Sequence, residues 1–314
     1  MKTSIFLSLL TVLFFFSCER ESKVLETTVS ISAEISNSDE NSIRIFSRAE
    51  RKSLDLKNGI ADGDIHVLGQ SVIAIRHSRD LWYCYAEPGN DIKISFDAED
   101  SKIYNFSGDY ANENKFLTTT LLKYDELMGN RSEYFAKPEN EFLSHLAHVR
   151  NSIEKDIVQF NNSNPNADQG FMESLSREIN YNNAAKLWDY ENGYRRYSED
   201  TSYIVSNELE KLKAASIIEN QEFLGSDAYC RLLLRVVGSR ANKVVDEDKS
   251  EKEPWEKWRK ARYQVINESF KDPGIKEYCN FYFMNNEIRR TGGFDRKEVI
   301  DGFINGVSNE VYAN

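Results

Sequence analysis

Four cysteines, four histidines and one cluster of aromatic and basic residues are the side chains through which this 314-residue chain could do chemistry. Cys84 stands between Tyr83 and Tyr85, Cys230 in the most apolar helical stretch, and Cys279 two residues before Phe281. Those settings suit buried small hydrophobes. One disulfide among the three is a second reading, and it leaves an odd cysteine over. A reactive thiol is the third, with Arg231 beside Cys230 as the one neighbour able to lower a pKa. His145 and His148 follow Glu141 at helical spacing, which puts three potential ligands on neighbouring helical positions. His66 and His77 fall in the other half of the chain, so no complete ligand set can be named and no metal is assigned. Trp255, Trp258 and Tyr263 are interleaved with Lys257, Arg259, Lys260 and Arg262. An amphipathic core helix explains that spacing, and so does a face for a glycan or an acidic partner. Carboxylates beside other ionisable groups, as in Tyr190-Glu191 and Glu199-Asp200, mark no acid/base couple. The chain has no Cys-x-x-Cys, no G-x-S-x-G elbow and no phosphate-cradling glycine loop. No catalytic residue, cofactor-binding residue or cofactor is assigned on these grounds.

Cys18 is a different case, because of what precedes it. Met1-Lys2 gives a positive start, Ile5 to Phe16 an apolar run, and Ser17-Cys18 ends it. The run is too short for a stable membrane span and has the length of a secretory leader. Phe15-Phe16-Ser17-Cys18 is similar to a bacterial lipobox, with Phe15 where Leu is usual. On this reading residues 1–17 are a lipoprotein signal peptide, and Cys18 is the lipid-attachment residue, carrying diacylglycerol and a further acyl chain such as palmitate. Several acyl chains anchor stably where one does not, each buried methylene adding ~0.8 kcal/mol. An ordinary leader with an incidental cysteine is the competing reading. Residues 18–26, polar and charged, form a tether.

The elements that must position any site change character midway. Length suggests about two domains, and 40% hydrophobic content is enough for real cores. From Thr27 onward short alternating segments recur: Val29, Ile31, Ala33 and Ile35; Ile43 and Ile45; Leu54-Asp55-Leu56; Ile65 to Leu68; Val72 to Arg76; Leu81 to Ala86; Ile92, Ile94 and Phe96; and Tyr104 with Phe106. Asn58-Gly59, Asp62-Gly63 and Pro88-Gly89 supply turns. The spacing predicts an antiparallel β-sandwich or open barrel over residues 27–110. Asn112 is placed to cap the first helix. Helical stripes follow: Leu117, Leu121, Tyr124 and Met128, then Phe142, Leu146, Val149, Ile153, Ile157 and Phe160. Phe171 to Trp188, Leu209 to Ile217, Tyr229 to Val237, the Trp255 helix, the Tyr278 helix and a last one over Val299 to Val311 complete an irregular all-α region, 111–314. Trp255, Trp258, Tyr263, Ile266 and Phe270 are expected to face the core. The fold class is therefore α+β.

In this order the parts resemble the N-terminal portion of lipid-anchored thioredoxin-like (TlpA/ResA-type) thiol–disulfide oxidoreductases. The residues that carry the resemblance are Ser17-Cys18, Tyr85-Ala86-Glu87-Pro88-Gly89-Asn90-Asp91 with Ile92, Ile94 and Phe96, and Phe106-Ser107-Gly108. Asn112-Glu113-Asn114-Lys115-Phe116-Leu117 continues it, and Asp295 to Tyr312 is similar to the helix preceding the thioredoxin domain. The family's catalytic cysteines have no counterpart here, and its thioredoxin domain is expected to be absent. What the resemblance implies is a membrane-tethered, non-catalytic binding or scaffold lipoprotein. Its partners would be the membrane, through the lipid anchor, and a protein partner or client. It would lie at the outer membrane, on the periplasmic face or the cell surface. A cell-envelope lipoprotein binding a nutrient or glycan through its helical half is the alternative. A hydrolase with scattered carboxylates has no residue in its favour. A net charge of −11 argues against nucleic acid as a partner.

Overall fold

The computed structural model describes residues 27–248, 250, 254–291 and 301. Cys18, the leader and the expected last helix over Val299 to Val311 lie outside the described residues, Asp301 apart. The rest is α+β, with eight strands followed by eight α-helices among the described residues.

The strands are β1 (Thr28–Ser36), β2 (Ser42–Phe46), β3 (Arg51–Asp55), β4 (Ile60–His66), β5 (Ser71–His77), β6 (Asp80–Ala86), β7 (Asp91–Asp97) and β8 (Tyr104–Gly108). They form two four-stranded sheets, in the orders β4-β1-β7-β8 and β3-β2-β5-β6. The alternation seen in the sequence decides the faces. Val29, Ile31, Ala33 and Ile35 of one sheet and Ile43, Ile45, Ile73 and Ile75 of the other close a shared core, in which Trp82 stacks on Phe96 with ring centroids 3.9 Å apart. All pairs are antiparallel except β1 with β7, which run parallel from Ser30 beside Asp91 to Ser36 beside Asp97.

Pro88-Gly89 makes the expected turn. Gly89 has φ of 89°, and the Asn90 amide donates to the Glu87 carbonyl at 3.1 Å. Asp62-Gly63, in contrast, is not a turn. Gly63 lies inside β4 opposite Ile31, and a Cβ there would come within 2.6 Å of Leu54 Cδ2. Glycine is needed at this position because a side chain from the facing sheet occupies the space above it.

The helices are α1 (Ala111–Met128), α2 (Arg131–Phe135), α3 (Glu139–Ser163), α4 (Gln169–Tyr197), α5 (Asn207–Ala215), α6 (Asp227–Glu247), α7 (Pro254–Ser269) and α8 (Pro273–Thr291). None among the described residues is long and apolar enough to cross a membrane. Asn112 is not the cap of α1. The chain enters through Tyr110, left-handed at φ 55°, and Asn112 falls in the first turn. Asp168, Ser206 and Ser226 do cap α4, α5 and α6, each accepting a backbone amide hydrogen bond. Ile266 of α7 and Phe270 just beyond its end are buried as expected, but Tyr263 is 63% exposed.

Helix α1 joins the two halves. The Tyr83 amide donates to Thr118 Oγ1 at 2.9 Å, the Thr118 hydroxyl donates to the Tyr83 carbonyl at 2.8 Å, and the Tyr85 amide donates to Asn114 Oδ1 at 2.6 Å. Residues four apart on a helix rise about 6 Å, and residues two apart on a strand about 7 Å. One helix face can therefore serve the outward backbone groups of edge strand β6. Val72 and Tyr85 pack in the same hydrophobic cluster as Leu117, Leu121, Phe142 and Phe171, and a second helical core gathers α4, α6, α7 and α8.

Candidate functional site: a charged cluster on four helices

Residues marked out in the sequence do not converge. Cys84 faces the sandwich core, Cys230 lies in α6 and Cys279 in α8, and all three are buried free thiols. Burial pushes the Cys84 thiol well up, and that of Cys230 up to about 11 despite the Arg48 charge and a Tyr278 hydrogen bond. Cys279 is raised for the same first reason. A thiol held in its neutral form is a poor nucleophile. His145 Nε2 lies 3.1 Å from the Met128 carbonyl, while Glu141 and His148 are exposed. His77 is buried against the Ser38 hydroxyl, and His66 meets Thr27. No group of three metal-ligating side chains occurs among the described residues.

The aromatic set on α7 also separates. Trp258 packs against the helical core with Arg262 over its ring at 5.2 Å, the same guanidinium lying 4.6 Å from the Phe283 ring centre. Tyr263, five residues on, sits about 140° around the helix at 100° per residue. The side chain of Trp255 lies outside the described residues. Tyr190 is spent on the Lys137 carbonyl and Glu191 on Arg195, and Asp200 serves a turn through Ser202.

What the fold does assemble is a polar cluster that the sequence did not announce. Helices α4 and α6 lie along each other, and their polar stripes face the same way. Glu178, Asn182, Lys186 and Asp189 mark one stripe, and Asp227, Arg231 and Arg235 the other, at helical spacing. Arg231 Nη2 bridges Asp227 Oδ2 and Asn182 Oδ1, each at 2.9 Å. Arg235 Nε meets Asp189 Oδ1 at 3.2 Å, and Arg131 of α2 approaches the other oxygen at 3.7 Å. Arg48, from the turn between β2 and β3, reaches across the halves. It pairs with the Asp227 carboxylate, donates to the Asp227 carbonyl at 3.3 Å and reaches the Tyr278 hydroxyl at 3.5 Å.

Beneath these ion pairs Glu178 is 1% exposed. Its Oε2 accepts from the Ala228 amide at 3.0 Å, and its Oε1 has no partner. Burial raises its pKa against the opposing pull of the Ser226 hydroxyl, the Ala228 amide and the Arg231 and Arg48 charges.

The part of the cluster around Lys186 differs from these saturated ion pairs. Among the described residues the side chains of Lys186 and Asp125 make no ion pair or hydrogen bond, although each lies close enough to shift the other's titration. Lys186 Nζ rests over the Tyr134 ring, 5.5 Å from its centre, and burial lowers its pKa. Asp125 is exposed to solvent, yet the surrounding protein desolvates it enough to raise its pKa. The Tyr134 hydroxyl is buried, and burial pushes its pKa up to about 12, the charge and hydrogen bond of the Arg131 guanidinium pulling the other way. Asn183 accepts from the Tyr124 hydroxyl at 2.9 Å, but its Nδ2 is also buried without a partner. An ammonium and an amide N–H₂, both on α4, are thus left without a polar partner among the described residues.

Asn180, Asn182, Asn183 and Lys186 inside an otherwise core-forming helix were the available signal, since asparagine is a weak helix former. The sequence alone cannot say that α1 and α2 bring Asp125 and Tyr134 to the same place. No family model, curated protein or solved structure matches the chain.

Proposed function

We propose that this protein is a membrane-tethered binding lipoprotein, anchored through acylated Cys18, which holds a ligand or client at the polar cluster of α1, α2, α4 and α6 without transforming it. On this reading residues 18–26 hold the body off the outer membrane, at its periplasmic face or the cell surface. The chain then corresponds to the binding front end of a thioredoxin-like lipoprotein, presenting its client to a redox domain elsewhere. The observation that carries the binding role is the set of uncommitted polar groups around Lys186. A protein usually satisfies its polar groups internally, so an ammonium and an amide left without partners suit an external acceptor. Burial of Cys84, Cys230 and Cys279 with raised thiol pKa values supports a role other than thiol exchange.

Expression in a bacterial host with a clickable palmitate analogue tests the anchor. The wild type should take up label and partition into detergent, and Cys18→Ser should lose both. The purified chain should leave insulin disulfides intact. An unlabelled, detergent-free mature protein would overturn the anchor, and turnover of insulin would overturn the non-catalytic role.

A further inference from the structure

We infer that the end of the sandwich remote from the helices is a receptor for an aliphatic polyammonium, held by Asp39, Glu40, Glu99 and His77. This site is separate from the helical cluster and does not depend on the role proposed there. The loops β1–β2, β3–β4, β5–β6 and β7–β8 all return at one end of the two sheets, and together they surround an open cavity of about 710 Å³. The helical half meets the other end, through Arg48 of the β2–β3 turn and through Gly225, which packs on the Leu68 and Gln70 carbonyls. The β1–β2 loop ties the other three loops in place. The Leu56 amide donates to the Asn41 carbonyl at 2.8 Å, Ser38 Oγ meets His77 Nε2 at 2.8 Å, and Asn37 Nδ2 donates to Asp97 Oδ2 at 2.9 Å. The cavity is thus formed before a ligand arrives, which lowers the ordering cost of binding.

Ile35, Leu56 and Ala98 give the cavity an apolar base continuous with the sandwich core. Its lining also carries the carboxylates of Asp39, Glu40 and Glu99, and no lysine or arginine. All three are exposed, and among the described residues none of these carboxylates meets a cation or a hydrogen-bond donor. His77 is an independent sign. It lines the cavity while only 3% exposed, and its Nδ1 makes no hydrogen bond among the described residues. Ser38 donates its O–H to the Glu40 carbonyl at 3.3 Å, so its contact with His77 assigns the ring proton to Nε2 and leaves Nδ1 an acceptor. A buried acceptor without a donor, beside unpaired carboxylates, calls for a cation that carries N–H groups. A single metal ion does not fit, since no three Asp, Glu, His or Cys side chains among the described residues stand close enough to hold one. Several ammonium groups joined by methylene chains do fit, the charges on the separate carboxylates and the stems on the apolar base.

The test is calorimetric titration of the full chain at constant ionic strength, with thermal unfolding in parallel. The probes are spermidine, acetyl-trilysine amide and magnesium chloride. Saturable binding of spermidine or the peptide, tighter than that of magnesium, is the expected result, and the tighter of the two tells a free amine from a peptide side chain. Glu99→Gln should fold like the wild type and bind about two- to fivefold more weakly, the loss of one exposed ion pair. Asp39→Asn combined with Glu40→Gln and Glu99→Gln should abolish saturable binding. Glu126→Gln combined with Glu141→Gln and Glu208→Gln removes the same charge from the helices and should change affinity by less than about twofold. Failure of both amines to saturate, magnesium binding as tight as theirs, or equal losses in the two triple variants would overturn the inference.

Discussion

Glu178 shows how a single buried carboxyl ties stability to pH. Its folded-state pKa is raised because burial outweighs the Ser226 and Ala228 hydrogen bonds and the two arginine charges. The proton is therefore held in the folded chain after the unfolded chain has released it, near the ordinary glutamate value of about 4.3. Stability from this group is fully present below that pH and is lost as pH rises towards the folded-state value. In Glu178→Gln this group's contribution to the slope disappears. Urea midpoints measured between about pH 4 and about pH 7 should show the wild type losing ground to the variant with rising pH, and parallel curves would refute this account. Residue-scale features of this kind were the least legible in the sequence. Nothing about Glu178, Lys186 or Asp125 differs locally from the many charged residues of the chain, because their chemistry is made by burial and by neighbours 50 or more positions away, as with Glu178 and Ala228. Gly63 was misread for a related reason. Asp-Gly is a strong local turn signal, and the Leu54 side chain that demands glycine there comes from the opposite sheet.

Helix α1 does two jobs, and both follow from its sequence period. Leu117, Leu121, Tyr124 and Met128 bury one face, and that stripe was plain in the sequence. Asn114 and Thr118 form a second, polar stripe that is also fully buried, which simple hydrophobic patterning assigns to solvent. They occupy the backbone groups that edge strand β6 would otherwise present to another chain. Thr118→Val keeps the shape but leaves the Tyr83 N–H and C=O without this partner. It should cost about 1–3 kcal/mol in chemical denaturation, and faster hydrogen exchange should appear at the Tyr83 amide. An unchanged midpoint and unchanged exchange would mean that water replaces the hydroxyl. Asn112 illustrates the limit of end signals. Its type suits a cap, but Tyr110 takes the cap position in the left-handed conformation, and the helix begins two residues earlier than a cap at Asn112 would allow.

At the scale of the whole molecule the β and α regions are adjacent in sequence and interleaved in space. Val72 and Tyr85 belong to a cluster otherwise built from helices, and Arg48 crosses from the sandwich to α6 and α8. Residues 27–110 expressed alone should therefore aggregate or remain partly unfolded, since removing α1 exposes both an apolar sheet face and a bare strand edge. Size-exclusion chromatography and circular dichroism check this, and a monomeric, cooperatively folding fragment would contradict it. The two-part order of strands then helices was legible because the period of the apolar residues changes at residue 110. The parallel pairing of β1 with β7 was not, since alternation fixes which face a strand buries and says nothing of the direction of its neighbour. That pairing has a mechanical side. β1 is gripped on both flanks, seven residues in register with β4 and seven with β7. A tug arriving from the residues before Thr27 enters this strand end-on and must slide it past two rows of cross-links together, whereas an outer strand could be peeled away one bond after another. The place where the proposed leash would pull is the place where the body is stitched most firmly.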